Sequence, residues 1–293
     1  MPRWQGKSKG TPLGYRIFVF VCRTFGLGAA YLLLRFVAFY YFIFSIDSSK
    51  AIYSYFKHRL RFSSFKAIVS IYKNYYLLGQ TLIDKRAVFA GIKNQFTYHF
   101  DGIENLKQMV GRGKGGILLS AHVGNWEMAG HHLQHLNTKI NVVMFDGEHE
   151  KVKNYLEGLG EKSFKAIVIK QDMSHVYEMG AALANNELVC MHADRFLEGN
   201  KTMSMNLLGE EALFPAGPFQ MAAGFNVPVS MVYAFKETTH HYHYFGSPTI
   251  DRSEGEKKAD FALRLAYLYL QDLENKIKQY PLQWFNYYDF WKK

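Results

Sequence analysis

The sequence predicts an α/β protein: a mixed, largely parallel sheet flanked by helices, with a hydrophobic, helical, membrane-attaching segment in front of it. Three observations predict this. Beyond residue 96, short apolar runs alternate with helix-length amphipathic stretches. One run, Gly116 to Ala121, stops abruptly at His122 and breaks at Gly124-Asn125, as strands of such sheets do at their carboxyl edge. Finally, residues 1–100 hold 15 Lys/Arg against two acids, Asp47 and Asp84, whereas residues 101–293 carry a net charge of −3.

The basic third is also the most apolar and aromatic part of the chain. Ile17 to Ile46 contains two charges, Arg23 and Arg35, and no acid. Basic plus apolar favours an anionic membrane surface over nucleic acid as its partner. A cleaved leader is disfavoured, because the apolar region is long and interrupted by arginine. A window of about 20 residues, the length of one span, always includes Arg23 or Arg35. A spanning helix and an interfacial helix with snorkelling arginines therefore both stay open, as does a buried helix pair broken near Gly26 and Gly28. Residues 1–46 form the attachment segment and 47–293 the main domain, helical over 47–95 and α/β over 96–293.

Asp47-Ser48-Ser49 reads as a helix start, and 49–88 as two helices rich in Tyr, Phe and Lys. Strands are expected at 96–100, 116–121, 139–144, 166–169, 187–192, 203–208, 228–235 and 242–247. Helices are expected at 102–110, 125–136, 148–159, 173–185, 216–225 and 257–279. Cys22 and Cys190 stand far apart, which gives neither a disulfide framework nor a zinc site.

His122 and Glu127 are the candidate chemistry. A histidine takes up a proton near neutral pH, and a nearby carboxylate fixes its tautomer and stabilises the imidazolium. The alternative is a helix N-terminus with a buried histidine and a capping glutamate. Other motifs carry less. Gly6-Lys7-Ser8-Lys9-Gly10 has the nucleophile-elbow spacing but no preceding strand. Gly111 to Gly116 is glycine-rich, but it precedes a strand and opens no helix with Gly-Lys-Ser/Thr. His131, His132 and His135, like His240, His241 and His243, show no marked third metal ligand and read as polar-surface residues.

Ser120-Ala121-His122-Val123-Gly124-Asn125-Trp126-Glu127 resembles the signature of the bacterial lipid A biosynthesis (lauroyl/myristoyl) acyltransferases, within the lysophospholipid acyltransferase superfamily. Further blocks agree in order. Asn186 to Arg195 resembles the family's second strand, ending in an aspartate. Asn206 to Gly209 and Phe214 to Phe219 resemble its small-residue and proline block. Val227-Pro228-Val229 resembles its next strand, and Pro281 with Trp284 its closing element.

The resemblance implies a glycerolipid acyltransferase-like fold and an enzyme. It would move a fatty acyl chain from acyl carrier protein or acyl-CoA to a lipid hydroxyl, at the cytoplasmic face of a bacterial inner membrane. His122 would be the general base and Glu127 its orienting group. Gly124 and Asn125 backbone N–H groups, or Lys170, would hold the oxyanion, and Arg195 beside Asp194 would either anchor a phosphate or carboxylate or form a structural ion pair with Asp194 or Glu198. Neither metal nor other cofactor is needed, because the thioester is already activated. Two features depart from the family. The arginine usual before the second strand is replaced by Lys165 or Lys170, and the basic residues usual after the closing tryptophan are replaced by Phe285-Asn286-Tyr287-Tyr288-Asp289-Phe290-Trp291. The second departure favours a less anionic or aryl-headed acceptor over lipid A itself. A thioesterase and a non-catalytic lipid-binding protein are the rival readings. The Phe- and Met-rich stretch 203–221 is a candidate acyl slot.

Overall fold

The computed structural model describes residues 12–89, 91, 96–126, 128, 136–145, 164–170 and 172–291. The expected helix 148–159, most of 125–136, the Gly6–Gly10 motif, and Glu127, His131, His132 and His135 lie outside that set.

The amino-terminal part is helical. Helix α1 runs Pro12–Phe44, α2 Ile46–Ser54, continued by a π-turn Tyr55–Arg59, and α3 Ser64–Phe89. Two helical stretches meet in α1 at Gly26, near the break expected at Gly26 and Gly28; its φ of 83° and ψ of 175° are non-helical and only glycine adopts them readily. The inner face of α1 (Cys22, Ala30, Tyr31, Leu34, Ala38) is buried. It packs antiparallel on α3, with Leu34 against Gly79, where a Cβ would collide with the leucine side chain. The outer face leaves Phe20, Phe25, Leu32, Phe36, Phe39 and Phe44 exposed, a contiguous apolar strip of a kind that soluble surfaces rarely carry.

The α/β part contains β1 (Thr97–Asp101), α4 (Ile103–Gly111), β2 (Gly116–Ser120), β3 (Ile140–Phe145), β4 (Lys165–Ile169), α5 (Ser174–Ala184) and β5 (Leu188–His192). It continues through β6 (Thr202–Leu207), β7 (Glu210–Pro215), α6 (Gly217–Phe225), β8 (Val229–Lys236), β9 (His241–Gly246) and α7 (Lys258–Gln279). Seven strands form one sheet in the order β1-β9-β8-β2-β5-β3-β4. Five of its six neighbouring pairs are parallel; β8 and β9 are antiparallel. The sheet is therefore mixed and largely parallel, as expected.

Strands β2 and β8 are buried along their whole length. That fits central strands covered by helices on both faces, and explains why both read as largely apolar rather than alternating, β8 carrying only Ser230 and the terminal Lys236 as polar residues. Strand β7 was not anticipated. It pairs with β6 as a separate hairpin, closed by Leu208-Gly209 with φ of 55° and 83°. Two left-handed residues in a two-residue loop make the type I′ turn that suits the strand twist.

Candidate functional site

Parallel register builds the site. Ser120 on β2 pairs with His192 on β5, so His122 and Asp194, each two residues further on, meet at the carboxyl edge. Asp194 clasps His122 twice. One carboxylate oxygen accepts the His122 backbone N–H at 2.9 Å, and the other lies 2.8 Å from Nδ1. Burial alone would push the Asp194 carboxyl up. The His122 charge and hydrogen bond, with Arg195 and His192 nearby, outweigh it and hold the group below the usual carboxylate range. Asp194 is 1% exposed and His122 18%, so the carboxylate is sealed while the imidazole reaches the surface.

Two aromatic neighbours complete the wall. The His192 ring lies 4.4 Å from that of His122, and Trp126 meets His192 edge-on at 4.8 Å. His192 was not singled out in the sequence. The only signal for it was its place two residues before Asp194 on an expected strand. His122, His192 and Asp194 present ligand atoms within 4.8 Å of one another, a donor set able to hold a divalent ion. An ion there would occupy the imidazole that a base needs. His99, Asp101 and His243 form a similar group on β1 and β9.

The turn after His122 is fixed by distant segments. Gly124 has φ 61°, and a Cβ there would collide with the Ala234 carbonyl. Gly124 N–H donates to Gln283 O at 2.8 Å, Asn125 N–H to Ala234 O at 2.7 Å, and Phe285 N–H to His122 O at 3.2 Å. The Asn125 side chain, 4% exposed, donates to Thr81 O at 3.1 Å and to the Tyr242 hydroxyl at 3.3 Å. These groups were expected to hold an oxyanion. The structure corrects this, because the donors are committed to β8, α3 and the carboxyl-terminal segment. We expect Gly124→Ala to cost about 1–3 kcal/mol through the left-handed backbone, more with the clash, and to displace the turn. Thermal melts and transfer rates check this; wild-type values in both would contradict it.

Arg195 lies beside Asp194, but it donates to the Phe285 carbonyl at 2.7 Å, clamping the carboxyl-terminal segment over the site. Lys170 follows β4, at the far edge of the sheet. Three strand spacings, about 14 Å, separate it from β2, so the structure does not bring it to His122. Of the closing aromatics, Trp284, Phe285 and Phe290 are buried, and Trp284 packs on Tyr55 with ring centroids 5.0 Å apart, so these three report packing. Tyr287, Tyr288 and Trp291 are half-buried. In the stretch 203–221, Met205, Leu207, Phe214 and Phe219 are likewise core residues. Cys190 is half-covered on β5, and burial pushes its thiol up to about 12, which removes it as a thiolate nucleophile.

A mycobacterial relative, the phosphatidylinositol mannoside acyltransferase of Mycobacterium tuberculosis, is 27% identical over 126 residues. That match covers 41% of this chain and 39% of the relative, so it spans about two fifths of the relative's length. Among solved structures, the 1-acyl-sn-glycerophosphate acyltransferase of Thermotoga maritima aligns over 86% of this chain and 97% of its own, at 13% identity and a TM-score of 0.39. The profile of the bacterial lipid A biosynthesis acyltransferases matches residues 76–293, three quarters of the chain, including the second half of α3, the His122 turn, Asp194 and the closing segment. The chain belongs to the bacterial lipid A biosynthesis acyltransferase family.

Proposed function

We propose that this protein transfers a fatty acyl chain from an acyl carrier protein or CoA thioester to a hydroxyl of a membrane lipid, with His122 as general base. The observation that carries the reading is the His122–Asp194 contact of 2.8 Å at the carboxyl edge of two adjacent parallel strands. With Nδ1 held by Asp194, the Nε2 side takes the acceptor's hydroxyl proton as its oxygen attacks the thioester carbonyl. The C–O bond forms, the C–S bond breaks, and the proton leaves on the thiol. The spacing of the signature assigns Glu127 to the same imidazole. Separate Glu127→Gln and Asp194→Asn variants apportion the orienting role between the two carboxylates.

Direct transfer needs donor and acceptor bound together. Initial-rate plots with the detergent-solubilised full chain should intersect, and thioester loss should require the lipid acceptor. Parallel lines with an acyl adduct on the protein would overturn direct transfer. Thioester loss without acceptor would favour a thioesterase, and no turnover with any hydroxylated lipid would favour a lipid-binding protein. Lipid mass spectrometry with and without the gene identifies the acceptor, lipid A or another.

The exposed strip of α1 supports docking on a bacterial inner membrane at its cytoplasmic face. One face of α1 is packed along α3, which buries Asn74, Gln80 and Asp84. A helix so held suits an interfacial position better than a span. Phe36 and Phe39 are 69% and 54% exposed. Replacing both by Glu should weaken sedimentation with anionic vesicles by ten-fold or more, since each buried aromatic contributes about 1.5–3 kcal/mol. Unchanged sedimentation would remove this face as the docking surface.

A further inference from the structure

Strands β1 and β9 bring together a group of side chains that acyl transfer does not use. Thr97 to Asp101 pairs in parallel with His241 to Phe245, which sets His99 directly beside His243, with ring centroids 4.7 Å apart. The Asp101 carboxylate faces both rings. One oxygen is 3.0 Å from His99 Nε2 and the other 2.9 Å from His243 Nε2. The histidines at 240–243 showed no third metal ligand in the sequence; β1 supplies two partners, Asp101 from 142 residues away.

His243 is held from both sides. Its Nδ1 lies 3.0 Å from a Glu237 oxygen, and that carboxylate accepts the Tyr280 hydroxyl at 2.6 Å. A neutral imidazole carries one N–H, so with a carboxylate at each nitrogen one lone pair faces an anion. A cation between ring and carboxylate relieves that contact. Glu237 on Nδ1 also aims Nε2 at Asp101, the carboxylate–histidine arrangement that orients metal ligands. Charge favours a cation as well. Asp101 and Glu237 face the group, and the Lys276 ammonium, which lies over the Phe245 ring, is shared between Asp101 and Asp272. His241 has Nδ1 on the Thr97 hydroxyl at 2.7 Å and Nε2 3.9 Å from Glu237.

We propose that His99 Nε2, His243 Nε2 and the Asp101 carboxylate bind one divalent transition-metal ion, zinc by their chemistry, with water in the fourth position. Two imidazoles and one carboxylate suit zinc, whereas magnesium and calcium take oxygen ligands. The donor atoms lie within 4.8 Å of one another, and tetrahedral zinc sets its donors about 3.4 Å apart. The His99 side chain is 60% exposed, so a swing of its ring closes the site. The ion would tie the edge strand β1 to β9. The site stands three strands from β2 and rests on neither acyl transfer nor membrane docking.

The test uses the full chain in detergent, stripped with a chelator, with zinc chloride alone as the probe. Binding is read by calorimetry and by the rise in melting temperature. One equivalent of zinc should bind at micromolar concentration or tighter and stabilise the protein, and excess magnesium should not displace it. His99→Gln and Asp101→Asn, both at exposed positions, should each remove that equivalent. Glu237→Gln keeps all three ligands but loosens His243, and should weaken binding about 10–100-fold with the stoichiometry kept. His122→Asn should retain the equivalent, which separates this site from the transfer centre. Cobalt in place of zinc should give the visible bands of a tetrahedral site in wild type and not in His99→Gln. No zinc uptake by the stripped chain, wild-type Kd in both His99→Gln and Asp101→Asn, or loss of the equivalent in His122→Asn instead would overturn the proposal, leaving His99 and His243 as ion-pair partners of Asp101.

Discussion

Replacing His122 by Ala is expected to lower kcat/KM for acyl transfer by about 10²–10⁴, the range that a positioned general base contributes. Alanine also strips a sealed carboxylate of its partner, so part of the loss could come from a disturbed edge of the sheet. His122→Asn controls for this. Its side-chain amide can still donate to Asp194 from near the Nδ1 position, but it cannot accept a proton at neutral pH. Both variants should be equally slow, and His122→Asn should melt near wild type. Near-normal transfer by either would remove His122 from the chemistry.

Asp194→Asn should be impaired by a comparable factor, for a different reason that the pH profile exposes. The native carboxyl is held below its ordinary range, so Asp194 is ionised wherever the enzyme is assayed and the acid limb of the profile belongs to His122. The carboxylate favours the imidazolium. Removing its charge lowers the histidine pKa, so the acid limb moves to lower pH while the plateau falls. The linkage has one sign. A depressed folded-state carboxyl contributes stability that is fully present above its unfolded value near 4 and is lost as pH falls through the lower folded value. The variant should therefore lose stability at neutral pH and show less additional loss on acidification. An unshifted limb, or wild-type stability at pH 7, would contradict the clasp.

What the sequence reveals depends on the range of the interaction that decides each point. The strand ending at His122, the glycine turn and the alternation beyond residue 96 are local patterns, and the structure follows them closely. The Leu208-Gly209 hairpin was missed because β7 carries two glutamates and no clear alternation. Asp194 was visible as a polar residue ending a strand. That it, of all the acids, reaches His122 Nδ1 depends on β2 pairing with β5 across about 70 residues of chain. The fate of the Gly124 and Asn125 donors was hidden for the same reason. Their partners, Gln283 and Ala234, come from segments more than 100 residues downstream. Asp84 is the clearest case. In the sequence it is one of two acids in a basic third; in the fold it is the hub joining the amino-terminal helices to the sheet.

Asp84→Asn should then be the most destabilising conservative change in the amino-terminal part. Asp84 and Lys236 are 0% and 2% exposed, with carboxylate and ammonium 2.5 Å apart. The hub is fully engaged. One Asp84 oxygen also accepts the Tyr242 hydroxyl at 2.5 Å, and the other accepts the Tyr31 hydroxyl from α1. Lys236 additionally donates to the Thr239 carbonyl at 2.7 Å. Burial pushes the Asp84 carboxyl up and the Lys236 ammonium down, each opposed by the other's charge. Each charge is thus tolerated only through its partner. Neutralising Asp84 alone strands the ammonium, and breaking such a pair costs about 3–5 kcal/mol. For a chain of this size that corresponds to a fall of about 6–20 °C in Tm. Lys236→Met alone should cost a similar amount, whereas Asp84→Asn with Lys236→Met should recover part of the loss, since the two changes share one interaction. Because Tyr242 also receives the Asn125 amide, the single variants should slow acyl transfer even below their melting points. A Tm within about 2 °C of wild type for Asp84→Asn, or strictly additive losses in the double variant, would show that the pair is not what ties α1 and α3 to the catalytic edge of the sheet.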